Sequence, residues 1–97
     1  MITITAFIRA KNDSADLEIL NNLFTRLIDE TRKEPGCQKY ELHEVKDQPG
    51  LYIMMEEWVS EVALESHNTS GHFTDFVTSA ESYFTAPIQE FLSTKLI

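Results

Sequence analysis

The sequence of 97 residues predicts an α+β fold of the ferredoxin-like type, with the element order βαββαβ. Three observations support this prediction. Residues 2–10 alternate between two kinds of side chain, which is the period of a strand, and a long stretch with helical spacing follows. Two short aromatic and apolar runs then flank the turn-forming pair Pro49–Gly50, as in a hairpin. A second helical stretch and a last strand complete the order, so we expect one antiparallel sheet with helices on one face.

The first strand and the first helix have clear local signals. The apolar face of the strand consists of Ile2, Ile4, Ala6 and Ile8. Asp13 or Ser14 can cap the helix that follows. The apolar stripe of this helix runs from Leu17 to Thr31, and the pair Pro35–Gly36 ends it.

The second helical stretch is predicted in two pieces, with a break at residues 68–70. A short helix extends from Ser60 to about His67, and another begins near Ser70 and ends before Pro87. The apolar stripe of this last helix consists of Phe73, Phe76, Val77, Ala80 and Phe84. Residues 88–97 are expected to form the final strand.

One face of the sheet would be left without helices. Phe7, Ile53 and Met55 project from this face, and an exposed apolar patch of that kind usually marks an interface. We therefore expect a homodimer that packs sheet against sheet. A chain of this length has room for only one core, so residues 1–97 should form a single domain.

Composition excludes several classes of partner. Eight basic and sixteen acidic residues give a formal net charge of −8, which repels nucleic acid and anionic membranes. The single cysteine, Cys37, has no partner for an internal disulfide, which fits a reducing compartment. The N-terminus lacks the features of a signal peptide, and no stretch reaches the ~20 apolar residues of a spanning helix. We expect a cytoplasmic protein.

The third strand offers the first candidate site residues. Its period of two places Tyr52, Met54, Glu56 and Trp58 on one face. If that face is covered by helices, Glu56 is partly buried and suited to general acid–base catalysis. Alternatively, Glu56 pairs with a helix residue or stays in water. Trp58 could stack on a flat ligand or belong to the core.

Two histidines are expected at one corner of the fold. His67 falls in the last turn of the short helix and His72 in the first turn of the next, where the helix dipoles favour different proton states. The alternative is that each caps a helix end. Their spacing differs from the i, i+4 pair of a zinc protease, and a third ligand would have to come from His43 or Glu56, so no metal is expected.

Nucleophilic and phosphate-binding sites have little support. Cys37 begins a strand, where no helix N-terminus lowers its pKa, so we expect a buried, inert thiol. The chain has no glycine-rich phosphate loop and no serine elbow.

The run "EPGCQKYELHE" and the later "EEWVSEVALESHNTSGHFTDF" resemble the antibiotic biosynthesis monooxygenase family, typified by quinol monooxygenases. That family also contains haem-degrading oxygenases and an isomerase of phosphorylated sugars. The resemblance implies a homodimer whose sheets form a shared α+β barrel, with a ligand pocket between sheet and helices in each subunit. The matching positions are Glu56, Trp58, His67, His72 and Phe73.

Some family positions differ in this chain. Met54 and Leu64 stand where the polyketide-oxidising members have asparagine and tyrosine. Phe76 and Val77 stand near the position of the histidine that binds iron in the haem degraders. Haem is therefore not expected, and neither is any other cofactor.

The resemblance and the residues together favour a cofactor-independent monooxygenase that acts on a small, electron-rich aromatic of the quinol type with dioxygen. His67 would be the base, with His72 or Glu56 orienting it or carrying a second proton. The substrate would contact Trp58, Tyr52, Phe73 and Met54. Two alternatives stay open at this point: an isomerase or tautomerase of a small carbonyl compound, and a dimeric protein that binds a ligand without catalysis.

Overall fold

The computed structural model describes residues 1–97 and contains one four-stranded antiparallel sheet. The strands are β1 (Ile2–Arg9), β2 (Cys37–Glu44), β3 (Leu51–Trp58) and β4 (Gln89–Ser93), in the order β2-β3-β1-β4. The helices are α1 (Ser14–Thr31), α2 (Glu61–Asn68) and α3 (Gly71–Ala80), followed by one 3₁₀ turn at Glu81–Tyr83. This is the predicted ferredoxin-like arrangement, with the second helix divided into α2 and α3.

Side-chain caps determine where the helices begin. Asp13 Oδ1 accepts a hydrogen bond from the backbone N–H of Asp16 at 3.0 Å, which starts α1. Ser60 and Ser70 cap α2 and α3 in the same way. The Ser70 hydroxyl also donates to the carbonyl of His67 at 2.7 Å. This bond ties the end of α2 to the start of α3.

The core lies between the helices and the inner face of the sheet. The buried strand residues include Ile4, Ala6, Ile8, Tyr40, Tyr52, Met54 and Trp58. From α1, Phe24 contacts Tyr52 at a ring-centroid distance of 5.3 Å and Phe76 of α3 at 5.1 Å. Each fully buried side chain of this size contributes about 1.5–3 kcal/mol to folding, so this layer holds α1 and α3 on the sheet.

The β2–β3 hairpin positions the future site. Gly50, with φ of +84°, allows the reversal before β3. The pairing places Cys37 opposite Trp58 and Tyr40 opposite Glu56, with an irregularity after Cys37. The start of β2 therefore lies beside the end of β3, and the residues just before β2 come close to α2.

Three sequence predictions, on the end of α3, the length of β4 and the burial of Cys37, were wrong in detail. Helix α3 ends at Ala80, and Val77 is partly exposed because it lies at the edge of the buried stripe of Phe76 and Ala80. The last strand covers only Gln89–Ser93 of the predicted residues 88–97, since its pairing with β1 ends where Ser93 lies opposite Thr3, next to the end of β1 at Ile2. Cys37 is only half-buried.

The outer face of the sheet carries no helix. Phe7, Ile53 and Met55 are half-buried there, and Phe91 of β4 is 57% exposed. Phe7 and Phe91 make an edge contact with ring centroids 6.3 Å apart. None of the helices combines the length and apolar character needed to span a bilayer.

Candidate functional site

A carboxylate joins the two histidines at the break between α2 and α3. Glu34 Oε2 lies 2.7 Å from His67 Nδ1 and 2.9 Å from His72 Nε2. Because an ionised carboxylate can only accept hydrogen bonds, both ring nitrogens donate to it. This fixes the neutral tautomer of His67 with its proton on Nδ1, and it leaves the lone pair on Nε2.

The three side chains form a path from the core to the surface. The side chain of His67 is 2% exposed, that of Glu34 is 15% exposed and that of His72 is 23% exposed. His67 comes from the last turn of α2, His72 from the first turn of α3, and Glu34 from the turn between α1 and β2. The outer histidine is thus in contact with solvent, whereas the inner one is not.

Aromatic rings enclose the inner histidine. The ring of His67 lies 4.7 Å from that of Trp58 and 4.8 Å from that of Phe73, centroid to centroid. Tyr40 approaches it edge-on at 5.3 Å. With its Nδ1 held by Glu34 and its faces covered by aromatic rings, the imidazole is fixed in one orientation.

Burial lowers the pKa of His67, because charge is poorly solvated in this enclosure. The hydrogen bond and charge of Glu34 oppose this effect only in part. His67 is therefore neutral at neutral pH, and a neutral imidazole with a free Nε2 can act as a general base.

A second titratable group lies on the same face of the sheet. Trp58 Nε1 donates to Glu56 Oε1 at 3.0 Å, and Glu56 is 8% exposed. Burial raises the pKa of Glu56 to about 7, and the charges of Glu90 and Glu34 act in the same direction. Trp58 thus connects the buried carboxyl to the ring of His67.

The structure groups five of the seven residues predicted from the sequence. Glu56, Trp58, His67, His72 and Phe73 form one cluster through the contacts described above. Tyr52 is six residues from Trp58 along β3, about 20 Å at ordinary strand spacing. It packs on Phe24 instead. Met54 is buried in the core between these two ends.

Sequence reasoning missed Glu34 and Tyr40. Tyr40 lies opposite Glu56 in the β2–β3 pairing, and Glu34 is 33 residues from His67 and 38 from His72. The predicted hairpin contained a signal that could have indicated Glu34. A register that places the start of β2 beside Trp58 also brings a carboxylate just before β2 towards the helix that follows Trp58.

Cys37 shows no sign of activation. Burial raises the pKa of its thiol, and the charges of Glu34 and Glu56 raise it further. A thiol in this setting is a poor nucleophile at neutral pH.

Two cavities border the cluster from different sides. A polar groove of about 440 Å³ between α1 and α3 contacts His72 together with Arg26, Glu30 and Asp75. An apolar cavity of about 560 Å³ lies between α3 and the segment that leads to β4. Its walls include Phe73, Phe76, Val77, Phe84, Pro87 and Ile88. Phe73 therefore stands between this cavity and His67, and none of the main cavities contacts His67 or Trp58 directly.

The sequence profile of the antibiotic biosynthesis monooxygenase family matches residues 1–79. The chain belongs to this family. A relative in Bacillus subtilis (strain 168), the proposed monooxygenase YcnE, is 31% identical over 88 residues, which cover 91% of this chain and 90% of YcnE.

Solved structures agree with this assignment. A crystal structure of an antibiotic biosynthesis monooxygenase superposes with a TM-score of 0.93 at 27% identity, covering 100% of both chains. The structure of Rv0793 from Mycobacterium tuberculosis superposes with a TM-score of 0.88 at 25% identity, covering 99% of this chain and 95% of that one. The predicted fold and family are confirmed.

Proposed function

We propose that this protein is a cofactor-independent monooxygenase that oxidises a small, electron-rich aromatic of the quinol type with dioxygen. The observation that carries the proposal is the buried, neutral His67, oriented by Glu34 through Nδ1 at 2.7 Å. A base, a group that orients it and a dry aromatic surface are the parts that such a reaction requires of a protein.

Proton removal is the step for which the geometry is suited. His67 Nε2 takes the proton of a substrate phenol, and Glu34 stabilises the imidazolium that forms. The resulting phenolate is electron-rich enough to transfer one electron to dioxygen, after which the two radicals combine at a ring carbon. Loss of water from the peroxide leaves one oxygen atom in the product as a carbonyl. The substrate supplies all the electrons, so no external reductant is needed.

The apolar cavity beside α3 is the proposed binding site for the aromatic ring. A volume of about 560 Å³ lies within the range of small-molecule pockets. Phe73 contributes to this cavity and also contacts His67. A rotation of the Phe73 side chain would bring a ligand in the cavity to the imidazole and to Trp58. Tyr52 and Met54 lie further along β3, so we assign the ring contacts to Trp58 and Phe73.

A homodimer is part of the proposal. The uncovered outer face of the sheet carries Phe7, Ile53, Met55 and Phe91, and a second copy of the same face would bury them. Two sheets packed in this way would form the shared barrel that the family resemblance implies.

Oxygen uptake by the purified, metal-free protein with a panel of quinols and naphthols tests the reaction. We expect His67→Gln, which preserves volume and a hydrogen-bond donor, to reduce kcat/KM at least ~100-fold. The matched control is His43→Gln, because His43 is half-exposed on β2 and bonds only Glu41. Circular dichroism verifies that both variants fold.

Three outcomes would contradict the proposal. If folded His67→Gln turns over quinols at the parental rate, His67 is not the base. If a product forms equally well without oxygen, an isomerase or tautomerase using the same pair of histidines is the better description. Absence of turnover with the whole panel would favour a ligand-binding protein.

A further inference from the structure

We infer that Glu34, His67 and His72 form a binding site for a first-row divalent cation, with Zn²⁺ as the closest chemical match. One donor atom from each of these side chains lies within 4.8 Å of the other two. Two imidazole nitrogens and one carboxylate oxygen are a common set of protein ligands for zinc, with water in the fourth position.

The distances require only a small adjustment. Zinc binds imidazole nitrogen at ~2.0–2.1 Å and carboxylate oxygen at ~2.0–2.2 Å, so nitrogens bound to one tetrahedral ion lie about 3.3 Å apart. At present Glu34 Oε2 occupies the position between the nitrogens, 2.7 Å from one and 2.9 Å from the other. An ion enters if this oxygen withdraws by an ångström or two and the protons on His67 Nδ1 and His72 Nε2 move to the other nitrogen of each ring. The zinc-bound form therefore lacks the free Nε2 of His67 that acts as the base in the proposed reaction, so zinc should inhibit that reaction. Glu34 lies in a turn and is partly exposed, so it is the ligand that can move.

The His67 ligand is already held in place. Packing against Trp58 and Phe73 fixes the ring of His67, and the bond from Ser70 to the His67 carbonyl holds the end of α2 against α3. Little conformational entropy is then lost when the ion binds, which favours affinity.

The surrounding charge favours a cation. The groove that contacts His72 also contains Asp75 and Glu30, and Glu30 pairs with Lys33 at 3.1 Å. Arg26 is the one arginine or lysine that lines this groove. The whole chain carries a formal charge of −8, and such a field raises the local concentration of cations. The groove gives the ion and its water ligand access from the exposed side of the cluster.

Histidine spacing in the sequence did not indicate this site. The third ligand is neither His43 nor Glu56, which the sequence offered, but Glu34 from the turn before β2. Binding is measured without substrate, so its result is independent of the oxygen-uptake experiment.

Calorimetric titration of the metal-free protein with ZnCl₂, in a buffer that does not bind zinc, tests the inference. We expect one Zn²⁺ per chain with a Kd in the micromolar range or tighter. Glu34→Gln and His72→Gln, both at partly exposed positions, should each weaken binding at least tenfold. His43→Gln should leave it unchanged, since His43 lies on the outer face of β2 beside Glu41. The NMR signals of the His67 and His72 rings should shift on zinc addition, and those of His43 should not.

The inference is overturned if the parent protein takes up no Zn²⁺ at ~100 μM. It is also overturned if binding survives both Glu34→Gln and His72→Gln, or if His43→Gln abolishes it. Substitution with Co²⁺ gives a further check, because a four-coordinate site produces intense visible absorption.

Discussion

Glu56 is a carboxyl group in an environment that favours its neutral form. It lies on the inner face of β3, 8% exposed, and accepts the indole N–H of Trp58. Burial raises its pKa from 4.5 to about 7. Between these two values the folded chain binds more protons than the unfolded chain. Stability therefore falls as pH rises through this window and is level above it.

Substitution of Glu56 should therefore remove part of the pH dependence of the free energy of unfolding. A pKa difference of this size corresponds to about 3 kcal/mol between pH 4 and pH 8, as an upper bound. As pH rises from 4 to 8, we expect the free energy of unfolding of Glu56→Gln to fall by about 2–3 kcal/mol less than that of the parent. The amide cannot ionise, and it keeps an oxygen that accepts from Trp58. Urea unfolding at fixed protein concentration measures this. Glu57→Gln, on the outer face of the same strand, is the control and should retain the parental slope.

At the residue scale, the sequence identified most of the site but missed Glu34 and Tyr40. The sequence predicted that His67 and His72 lie at one corner of the fold, because helix caps and helix breaks depend on residues close together in the sequence. Glu34 and Tyr40 reach the same corner only through the pairing of β2 with β3 and the packing of α2. Long-range contacts of that kind depend on register, and the period of a strand does not specify register.

At the scale of elements, the close approach of α2 to the turn before β2 holds the site together. Gly36 precedes β2, and its carbonyl accepts from the backbone N–H of Val59 at 3.0 Å. A Cβ at this position would collide with Cβ of Ala63 and lie 3.2 Å from Cγ2 of Val59. Only glycine permits this approach, and the approach brings Glu34, two residues earlier, to His67.

Two glycine substitutions should therefore have opposite effects. Gly36→Ala forces the turn before β2 away from α2, and overpacking of this kind costs about 1–3 kcal/mol of stability. Gly71→Ala is the matched control, since nothing lies within 4 Å of its added Cβ at the start of α3. We expect it to be neutral or to stabilise by up to ~1 kcal/mol. Equal destabilisation by both substitutions in urea unfolding would contradict the argument.

The starts of helices and the positions of turns were predictable because they depend on residues that are close together in the sequence. Of the two cap candidates for α1, Asp13 is the cap, and α2 and α3 begin within one residue of the predicted Ser60 and Ser70, which cap them. The turn at Gly50 also lies where the sequence placed it. The end of α3 and the length of β4 were not predictable in the same way. Both depend on the neighbouring elements: β4 pairs with residues 3–7 of β1 and not with the rest of that strand.

At the scale of the whole molecule, the sheet is covered on one side only. The helices bury the inner face, whereas Phe7, Ile53, Met55 and Phe91 remain on the outer face. The alternation in β1 and β3 predicted both faces, and it supports a second copy of the chain as the cover. The partner would also reduce the solvent exposure of β4, an edge strand whose residues are all exposed.

A charge at the centre of this face should separate the subunits. Met55 lies between Thr5 and Glu41 in the sheet pairing, so Met55→Asp would place a carboxylate in the middle of a sheet-to-sheet interface. Burial of an unpaired charge costs several kcal/mol, enough to convert a dimer to a monomer at micromolar concentration. Sedimentation velocity should give a dimer for the parent and a monomer for Met55→Asp. Val62→Asp, at a position 74% exposed on α2, should remain dimeric. A monomeric parent, or dissociation by Val62→Asp as well, would show that the outer face of the sheet is not the interface.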